Sequence, residues 1–455
     1  MKVPTGGKSY DKPASSPEQD TGAIPGPTVT VRMKEVWCVR RVCSATIVVG
    51  SRMSRHRPLY TYKGGGVVFS EIEQTAIKAA LAQARRVHGR TSPNPPVGAV
   101  VVRDGVIVGQ GATQPPGQAH AERVALAEAG EQARGADLYV TLEPCTFHGR
   151  TPPCTDAIIA SGIKRVFFLC GDPDTRMGSG AAAVLAPHGI EVNRISQLQH
   201  QMIPLLGPFF TRIRCQRPWV TLKYAMSLDG KIATYTGTSQ WISGAESRQA
   251  VHVLRDHVDA IMTGSGTVHH DNPQLTTRIE HPSRPIKHPL RVVIDGHGHS
   301  DPHARVFQEQ QQTPTIVFST QAASAAWRNA LTAQGVEVIV GGNGAHVDLS
   351  QALRVLAERH INHLLVEAGA GLAGALADCD MVDEIQAFIA PSVIGNNTAP
   401  GPVGGNGHAS LIDVQRFHIA QFSLSGTDVW LRAFHRQHVI DLFENPHIFA
   451  VSNPS

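Results

Sequence analysis

The chain has 455 residues, of which 42% are hydrophobic and 17% are charged. This length exceeds what one hydrophobic core usually supports, so it predicts two domains, and the composition is typical of globular proteins rather than disordered ones. The net charge of +4 is concentrated at the start, where residues 1–67 hold eleven basic and four acidic side chains. The remaining 388 residues carry 30 basic against 33 acidic side chains, which argues against nucleic-acid binding.

The cysteine and hydropathy patterns narrow the class further. Seven cysteines at scattered positions argue against a disulfide framework and favour a reducing cytoplasm with thiolates free to bind metal. The chain has no run of 18 apolar residues, so we expect neither a membrane span nor, by the usual region criteria, a signal peptide. Residues 1–67 are rich in Pro, Gly, Ser and basic residues and predict a disordered extension or a start-site artefact.

Periodicity predicts an α/β order for residues 69–170. Apolar residues recur at helical spacing from Ile72 to Leu81, and two apolar runs flank the hairpin signal Asp104-Gly105. A second helix begins at His120, residues 138–142 form a strand that leads to Pro144-Cys145, a third helix begins at Cys154, and residues 165–170 form the next strand. The order α-β-β-α-β-α-β predicts an α/β/α sandwich.

A second domain is predicted to begin at Trp219, after a segment from 196 to 218 in which periodicity fades. Strand-like runs at 219–223, 260–262, 292–294, 315–318, 336–340 and 363–366 alternate with helical stretches at 245–256 and 349–360. This alternation predicts a β/α domain with a largely parallel sheet.

The strongest functional signal is His120-Ala121-Glu122 followed by Cys145 and Cys154. One imidazole and two thiolates give zinc three ligands and leave the fourth position open, as in catalytic zinc sites, where bound water becomes a nucleophile near neutral pH. Glu122 can then move protons without binding the metal, which is the arrangement of zinc-dependent base deaminases. The sequence therefore predicts zinc on His120, Cys145 and Cys154, with Glu122 as the catalytic acid and base.

Two other interpretations of this motif stay open. His148 is an available fourth ligand, and a closed site with two cysteines and two histidines would be structural rather than catalytic. A zinc-stapled binding module without enzymatic activity would use the same ligands. The closed site leaves Glu122 without a role.

The spacing of the two cysteines separates the deaminase classes. Nucleic-acid and nucleoside deaminases place two residues between the thiolates, whereas this chain places eight. With Pro93-Asn94-Pro95-Pro96-Val97-Gly98, the His120 motif and the run from Thr141 to Cys154, the chain resembles the bifunctional riboflavin-biosynthesis deaminase/reductase from about Phe69 to Arg436.

The resemblance implies a cytidine-deaminase-like α/β/α sandwich over 69–215 that deaminates a diaminopyrimidinone ribosylamine 5′-phosphate. It agrees with the zinc and Glu122 roles, puts Asn94 in the pyrimidine pocket and brings Arg150 toward the substrate phosphate. The chain departs from the family at Thr113, where a histidine is common, and at Asp174, where an asparagine is common.

For residues 216–436 the resemblance implies a dihydrofolate-reductase-like α/β domain that uses NADPH to reduce the ribosyl group to ribityl. The motif Gly369-x-Gly-x-x-Gly follows a predicted strand, which alone is a weak phosphate-binding signal. The cofactor contacts implied by position are Ala225, Trp241, Thr267, Asp271, Gly296, Gly369, Ala370, Gly371, Leu372, Ala373, Gly374 and Ala375. The implied substrate contacts are Lys223, Ser239, Arg255, Leu275, Arg278 and Glu367, with forked arginine donors suited to the 5′-phosphate.

Together these observations predict a bifunctional cytoplasmic enzyme with one zinc ion per deaminase domain and NADPH in the reductase domain. We expect a small phosphorylated pyrimidine as substrate, no nucleic-acid or membrane partner, and a homo-oligomer; residues 437–455 are predicted to be a tail. The alternative is an RNA or free-base deaminase fused to an unrelated reductase. His269-His270 has no assigned role, and a second metal site there is disfavoured.

Overall fold

The computed structural model describes residues 69–341, 344 and 346–444. The predicted extension at 1–67 and the end of the predicted tail lie outside these residues. Within the described ranges, no helix combines the length and the apolar character needed to cross a membrane.

The first sheet has five strands in the order β2-β1-β3-β4-β5, with β1 antiparallel to both of its neighbours and β3, β4 and β5 parallel. The strands are β1 (Gly98–Arg103), β2 (Val106–Ala112), β3 (Asp137–Leu142), β4 (Arg165–Cys170) and β5 (Glu191–Arg194). The accompanying helices are α1 (Glu71–Arg86), α2 (Ala121–Ala129), α3 (Cys154–Ser161) and α4 (Gly180–Leu185). The predicted order over 69–170 is confirmed.

Two glycines let helices pack closely on opposite faces of this sheet. A Cβ at Gly98 would lie 2.0 Å from the carbonyl oxygen of Ala80 on α1. A Cβ at Gly111 would lie 2.5 Å from the carbonyl oxygen of Ala121 on α2. Gly111 pairs with Ala99, the residue after Gly98, and successive strand residues face opposite sides. Helices α1 and α2 therefore cover the two faces, which gives the expected α/β/α sandwich.

The segment between the two sheets contains a helix that the sequence analysis missed. Helix α5 (Ile203–Cys215) includes Pro208, and residues 205–211 are all buried. These seven residues make about two turns that are buried on every side, so this part of the helix shows no amphipathic period. The loss of apolar periodicity over 196–218 therefore does not mark a loop, because this segment contains the buried part of α5.

The second sheet has nine strands in the order β10-β9-β8-β7-β11-β6-β12-β14-β13. Strands from β10 through β12 are parallel, and β14 and β13 extend the sheet as an antiparallel edge. The strands are β6 (Trp219–Ser227), β7 (Ala260–Gly264), β8 (Leu290–Ile294), β9 (Thr315–Ser319), β10 (Glu337–Val340), β11 (His363–Glu367), β12 (Glu384–Ala390), β13 (Phe417–Ser425) and β14 (Asp428–His435). The largely parallel sheet predicted for this half is confirmed.

Six helices accompany this sheet in the described residues. They are α6 (Ala245–His257), α7 (Ser265–Asp271), α8 (Ala325–Ala333), α9 (Leu349–Glu358), α10 (Ala370–Asp378) and α11 (Arg436–Phe443). Helix α11 occupies the start of the segment expected to be a tail. Its Phe443 ring stacks on Phe210 of α5 at 4.8 Å between centroids, so this end of the chain returns to the core of the first sheet.

Candidate functional sites

One edge of the first sheet gathers the residues of the zinc motif. Strand β1 starts at this edge, and β2, β3 and β4 end there, because β1 is antiparallel to β2 and β3 while β3 and β4 are parallel. His120 lies just before α2, which follows β2, and Cys145 lies three residues after β3. Cys154 begins α3. The strand directions therefore bring together residues that are up to 34 positions apart.

The three predicted ligands form a compact group. The Nδ1 atom of His120 lies 3.6 Å from the Cys145 sulfur and 3.3 Å from the Cys154 sulfur, and all three ligand atoms lie within 4.8 Å of one another. Zn–N and Zn–S bond lengths imply an N to S separation of about 3.5 Å in a tetrahedral site. The donor set and its spacing therefore fit zinc.

The closed-site alternative does not agree with this geometry. His148 is exposed, its Nδ1 lies 3.1 Å from the carbonyl oxygen of Gly149, and it is not part of the ligand group found in the described residues. The Nε2 atom of His120 instead lies 3.5 Å from the Thr151 hydroxyl, a neighbour of the kind that orients a metal-bound imidazole. Three protein ligands remain, as a catalytic zinc site requires.

The charges around this group suit proton transfer. Burial and the nearby Cys145 raise the pKa of Glu122 to about 7, and its side chain is only 4% exposed. A hydrogen bond from Cys154 lowers the pKa of the Cys145 thiol, with His120 adding to the effect. Glu122 is thus a buried carboxyl next to the ligands, with a pKa near neutrality, as general acid–base catalysis at neutral pH favours.

The structure adds acidic residues that the sequence analysis did not single out. Glu143 accepts hydrogen bonds from the backbone N–H groups of Ala181, at 2.8 Å, and Asp172, at 3.4 Å, and so ties the segment after β4 to the end of β3. Burial raises the pKa of Asp172 to about 7. Its position directly beyond β4, at the strand edge that carries the zinc motif, was the signal available in the sequence.

The two positions that depart from the family make local contacts. The Thr113 hydroxyl is buried and accepts a hydrogen bond from the Val97 N–H at 3.2 Å. Asp174 pairs with Arg176, whose guanidinium lies 4.1 Å above the Phe147 ring in the segment between the cysteines. Both side chains therefore shape the same sheet edge as the zinc ligands. Arg150 is exposed in that segment.

A cavity of about 1190 Å³ opens at the second sheet. It begins where β7 and β11 end and extends to the exposed side chain of Trp241. The residues predicted to bind cofactor or substrate that line it are Lys223, Ala225, Ser239, Trp241, Arg255, Thr267, Asp271, Leu275, Arg278, Gly296, Glu367, Gly369, Ala370, Gly371, Leu372 and Ala375. The structure thus brings together residues from most of the reductase-like domain.

The glycine motif marks the start of α10 at this cavity. Gly369 is the N-cap residue, and its N–H donates to the Thr267 hydroxyl at 3.2 Å. A Cβ at Gly371 would meet no atom within 4 Å, so the first turn of α10 is open for a phosphate group to approach. Ala373 and Gly374 do not line the cavity: both are buried, and a Cβ at Gly374 would lie 2.3 Å from the carbonyl carbon of Gly404.

Charged side chains converge on the floor of the cavity. Arg255 donates two hydrogen bonds to Glu367, at 2.7 and 3.0 Å, and the Lys223 ammonium lies 3.9 Å from the same carboxylate. Burial disfavours the charged form of Glu367, but these cations outweigh it and lower its pKa to about 2. Nearby, the Ser239 hydroxyl donates to Asp271 at 3.1 Å.

A second group of possible ligands consists of Asp380, His435 and His438. The Nδ1 atom of His435 accepts a hydrogen bond from the His438 backbone N–H, so the neutral ring carries its proton on Nε2, the nitrogen that faces Asp380. His438 bridges Asp383 and Asp380. This arrangement caps α11 and joins it to acidic residues, and it does not indicate a metal site. His269 and His270 are exposed on α7 and belong to neither ligand group.

In comparisons with known proteins, each half of the chain matches a protein-family model. Residues 70–170 match the cytidine and deoxycytidylate deaminase zinc-binding region, and residues 218–431 match the RibD C-terminal domain. The riboflavin biosynthesis protein RibD of Aquifex aeolicus (strain VF5) is 42% identical over 336 residues, which cover 73% of this chain and 91% of that protein. The chain belongs to the RibD family.

Other RibD proteins agree in sequence and structure. RibD of Escherichia coli (strain K12) is 38% identical, with 77% of this chain and 96% of that protein covered. The crystal structure of a diaminohydroxyphosphoribosylaminopyrimidine deaminase/5-amino-6-(5-phosphoribosylamino)uracil reductase from Thermotoga maritima has a TM-score of 0.69 at 35% identity, covering 80% of this chain and 99% of that one. Acinetobacter baumannii RibD gives a TM-score of 0.71 at 31% identity, covering 81% and 99%.

Membership of this family confirms the predicted fold class and the bifunctional activity. The chain is a riboflavin-biosynthesis enzyme that joins a zinc-binding deaminase domain to an NADPH-dependent reductase domain. The alternative with an unrelated reductase is wrong, because residues 218–431 match the RibD C-terminal domain. The non-enzymatic binding module is excluded because residues 70–170 match the deaminase zinc-binding region and the chain belongs to a family of deaminase/reductase enzymes.

Proposed function

We propose that this enzyme deaminates 2,5-diamino-6-(5-phosphoribosylamino)pyrimidin-4(3H)-one and then reduces its ribosyl group, giving 5-amino-6-(5-phosphoribitylamino)uracil. The observation that carries the proposal is the group of His120, Cys145 and Cys154 with the buried Glu122 beside it. The two activities named for the Thermotoga maritima relative supply the substrate class. The net-acidic sequence after residue 67 is consistent with a small phosphorylated substrate rather than RNA.

In the deaminase domain, His120, Cys145 and Cys154 would hold zinc, which, when bound, would supply a water activated for attack on the ring carbon that carries the amino group. Glu122 accepts a proton from the attacking water and delivers it to the departing amine, which leaves as ammonia. A carboxyl with a pKa near 7 can both accept and release that proton at neutral pH. Asn94 binds the pyrimidine edge, and Arg150 binds the phosphate.

In the reductase domain, the first turn of α10 and Thr267 bind the cofactor diphosphate. NADPH supplies the hydride, so the protein contributes position and charge. Ala225, Trp241, Asp271 and Gly296 line the rest of the cofactor path. The substrate lies against the residues of the cavity floor and rim, which are Lys223, Ser239, Arg255, Leu275, Arg278 and Glu367.

We further propose a division between the two activities at residues 215 and 216, directly after α5. Reduced thiolates are required at Cys145 and Cys154, which favours the cytoplasm. A homo-oligomer is also proposed, and the mass of the purified protein in solution, measured by light scattering, tests it.

The test of the deaminase mechanism is Glu122→Gln in the full-length enzyme. We expect deamination to fall by about 10²- to 10⁴-fold, while zinc stays at one ion per chain and reduction of separately supplied deaminated intermediate is unchanged. Glu128→Gln is the matched control, because Glu128 is exposed on the same helix. Wild-type deamination by Glu122→Gln would remove Glu122 from the mechanism. Deamination of an RNA instead of the pyrimidine phosphate would overturn the substrate assignment.

A further inference from the structure

A short loop of the deaminase domain, residues 91–96, lies between α1 and β1 and carries Asn94. We call it the junction loop. It closes on itself: the Asn94 N–H donates to the Thr91 carbonyl, and the Thr91 hydroxyl donates to the Asn94 carbonyl, both at 2.9 Å. The loop leads into the start of β1, at the sheet edge that carries the zinc ligands. Its conformation therefore sets where Asn94 lies relative to those ligands.

Side chains of the reductase domain bind this loop directly. The Ser92 hydroxyl donates to the Asp259 carboxylate at 2.9 Å. The side-chain amide of Asn362 donates to the Pro93 carbonyl at 3.1 Å and lies 3.4 Å from the Ser92 hydroxyl. These contacts hold the two residues that immediately precede Asn94.

The reductase residues that make these contacts are themselves fixed. Asp259 and Asn362 are 9% and 4% exposed. Asp259 accepts hydrogen bonds from the Asn362 N–H, at 3.0 Å, and the Lys287 ammonium, at 3.0 Å. The side-chain oxygen of Asn362 accepts a hydrogen bond from Nε of Arg212 on α5. A buried, saturated network of this kind leaves its members little rotational freedom.

We propose that Asn362 is a positioning residue for the deamination reaction, acting across the domain boundary through the junction loop on Asn94. This inference rests on the proposed function, because it takes Asn94 as the residue that binds the pyrimidine. Binding groups must be held close to their productive geometry, and a displacement of about 1 Å is enough to weaken them strongly. The reductase domain thus completes the deaminase site.

The test is a double-mutant cycle between Asn362→Ala and Asn94→Ala in the full-length enzyme. Because Asn362 acts through a binding group, we expect Asn362→Ala to raise the KM for deamination about five- to tenfold, the effect of about one hydrogen bond, with a smaller change in kcat. Zinc content and reduction of the deaminated intermediate stay at wild-type values. In the Asn94→Ala background, Asn362→Ala causes no further change in KM, because the side chain through which Asn362 acts is absent.

Two further variants keep the result interpretable. Arg284→Ala removes contacts with the carbonyls of Arg86 and His88, which cross the same domain boundary outside the junction loop, and we expect its deamination KM to stay within twofold of wild type. Ser92→Ala removes one loop contact at a half-buried position, and it serves if Asn362→Ala does not fold. We expect it to raise the same KM.

The outcomes separate this inference from the proposed function. If Asn94→Ala raises KM and Asn362→Ala has the same effect in both backgrounds, the positioning role is refuted and the role of Asn94 stands. If Asn94→Ala leaves KM unchanged, the proposed role of Asn94 fails, and the inference fails with it. An equal rise in Arg284→Ala would show a general effect of the domain boundary and would also overturn the inference.

Discussion

Replacing Glu367 by glutamine is expected to unfold the reductase domain more easily and to abolish its activity. Glu367 has a pKa of about 2 against an ordinary value of 4.5. At 1.36 kcal/mol per pKa unit, its charged form contributes about 3 kcal/mol of stability at neutral pH. The change leaves Arg255 and Lys223 as buried cations without a counter-charge, a loss of the same size as that measured on breaking buried ion pairs.

The matched control is Glu337→Gln on the same sheet. Glu337 accepts two hydrogen bonds from Arg359, both at 2.6 Å, but its side chain is 49% exposed. Water screens such a pair, so we expect a loss below about 1 kcal/mol. The two variants thus remove the same kind of contact in a buried and in an exposed setting.

The measurement is denaturant unfolding at pH 7, followed by tryptophan fluorescence, with both enzyme activities assayed on the same samples. We expect Glu367→Gln to lower the unfolding midpoint, to lose reduction and to retain deamination. The stability from Glu367 is present above pH 4.5 and is lost as the pH falls toward 2, because its folded pKa is depressed. Equal midpoints for Glu367→Gln and Glu337→Gln would refute the reasoning.

Two further predictions concern Gly111 in the deaminase domain and His257 on α6 of the reductase domain. Gly111→Ala puts a methyl group 2.5 Å from the Ala121 carbonyl oxygen, so we expect α2 to shift and the free energy of unfolding to fall by about 1–3 kcal/mol. We also expect the affinity for zinc, measured in competition with a chromophoric chelator, to drop. A wild-type zinc affinity would contradict this prediction. Burial and Arg284 lower the pKa of His257 to about 4. Because protonation of His257 then favours the unfolded chain, stability should fall by about 2 kcal/mol between pH 7 and pH 5. The comparison is His257→Gln, which should lack that part of the slope; identical slopes would exclude His257.

The sequence was sufficient for the zinc site because its signals are local. His120, Cys145 and Cys154 have distinctive chemistry, and each lies at a predicted strand or helix end. Helix α1 shows the apolar spacing of a helix with one buried face, and β1 and β3 are short apolar runs that are buried on both faces. The cavity residues of the second domain came only from the family resemblance, because a surface that positions a cofactor has no distinctive residue chemistry of its own.

The sequence did not predict strands in which polar residues occupy buried positions. Strand β12 carries Glu384 and Gln386, both 1% exposed. Arg432 on the neighbouring strand donates to Glu384 at 2.6 Å, and the Trp219 indole donates to it at 3.0 Å. A buried carboxylate is acceptable only with such partners, and they are 48 and 165 residues away in sequence. No local window contains them, so β12 does not have the pattern of a buried strand.

The strand directions of the second sheet also explain why the domain boundary can act on one reaction alone. Asp259 and Asn362 immediately precede β7 and β11, so the deaminase loop binds the edge where these parallel strands begin. The reductase cavity opens at the opposite edge, where Glu367 ends β11. Five residues of strand separate the two edges by about 16 Å. A side-chain change at Asn362 therefore acts on the junction loop through its hydrogen bond to Pro93 and its contact with Ser92, directly before Asn94. The cavity lies at the far end of β11, whose backbone is held on both sides by β6 and β7.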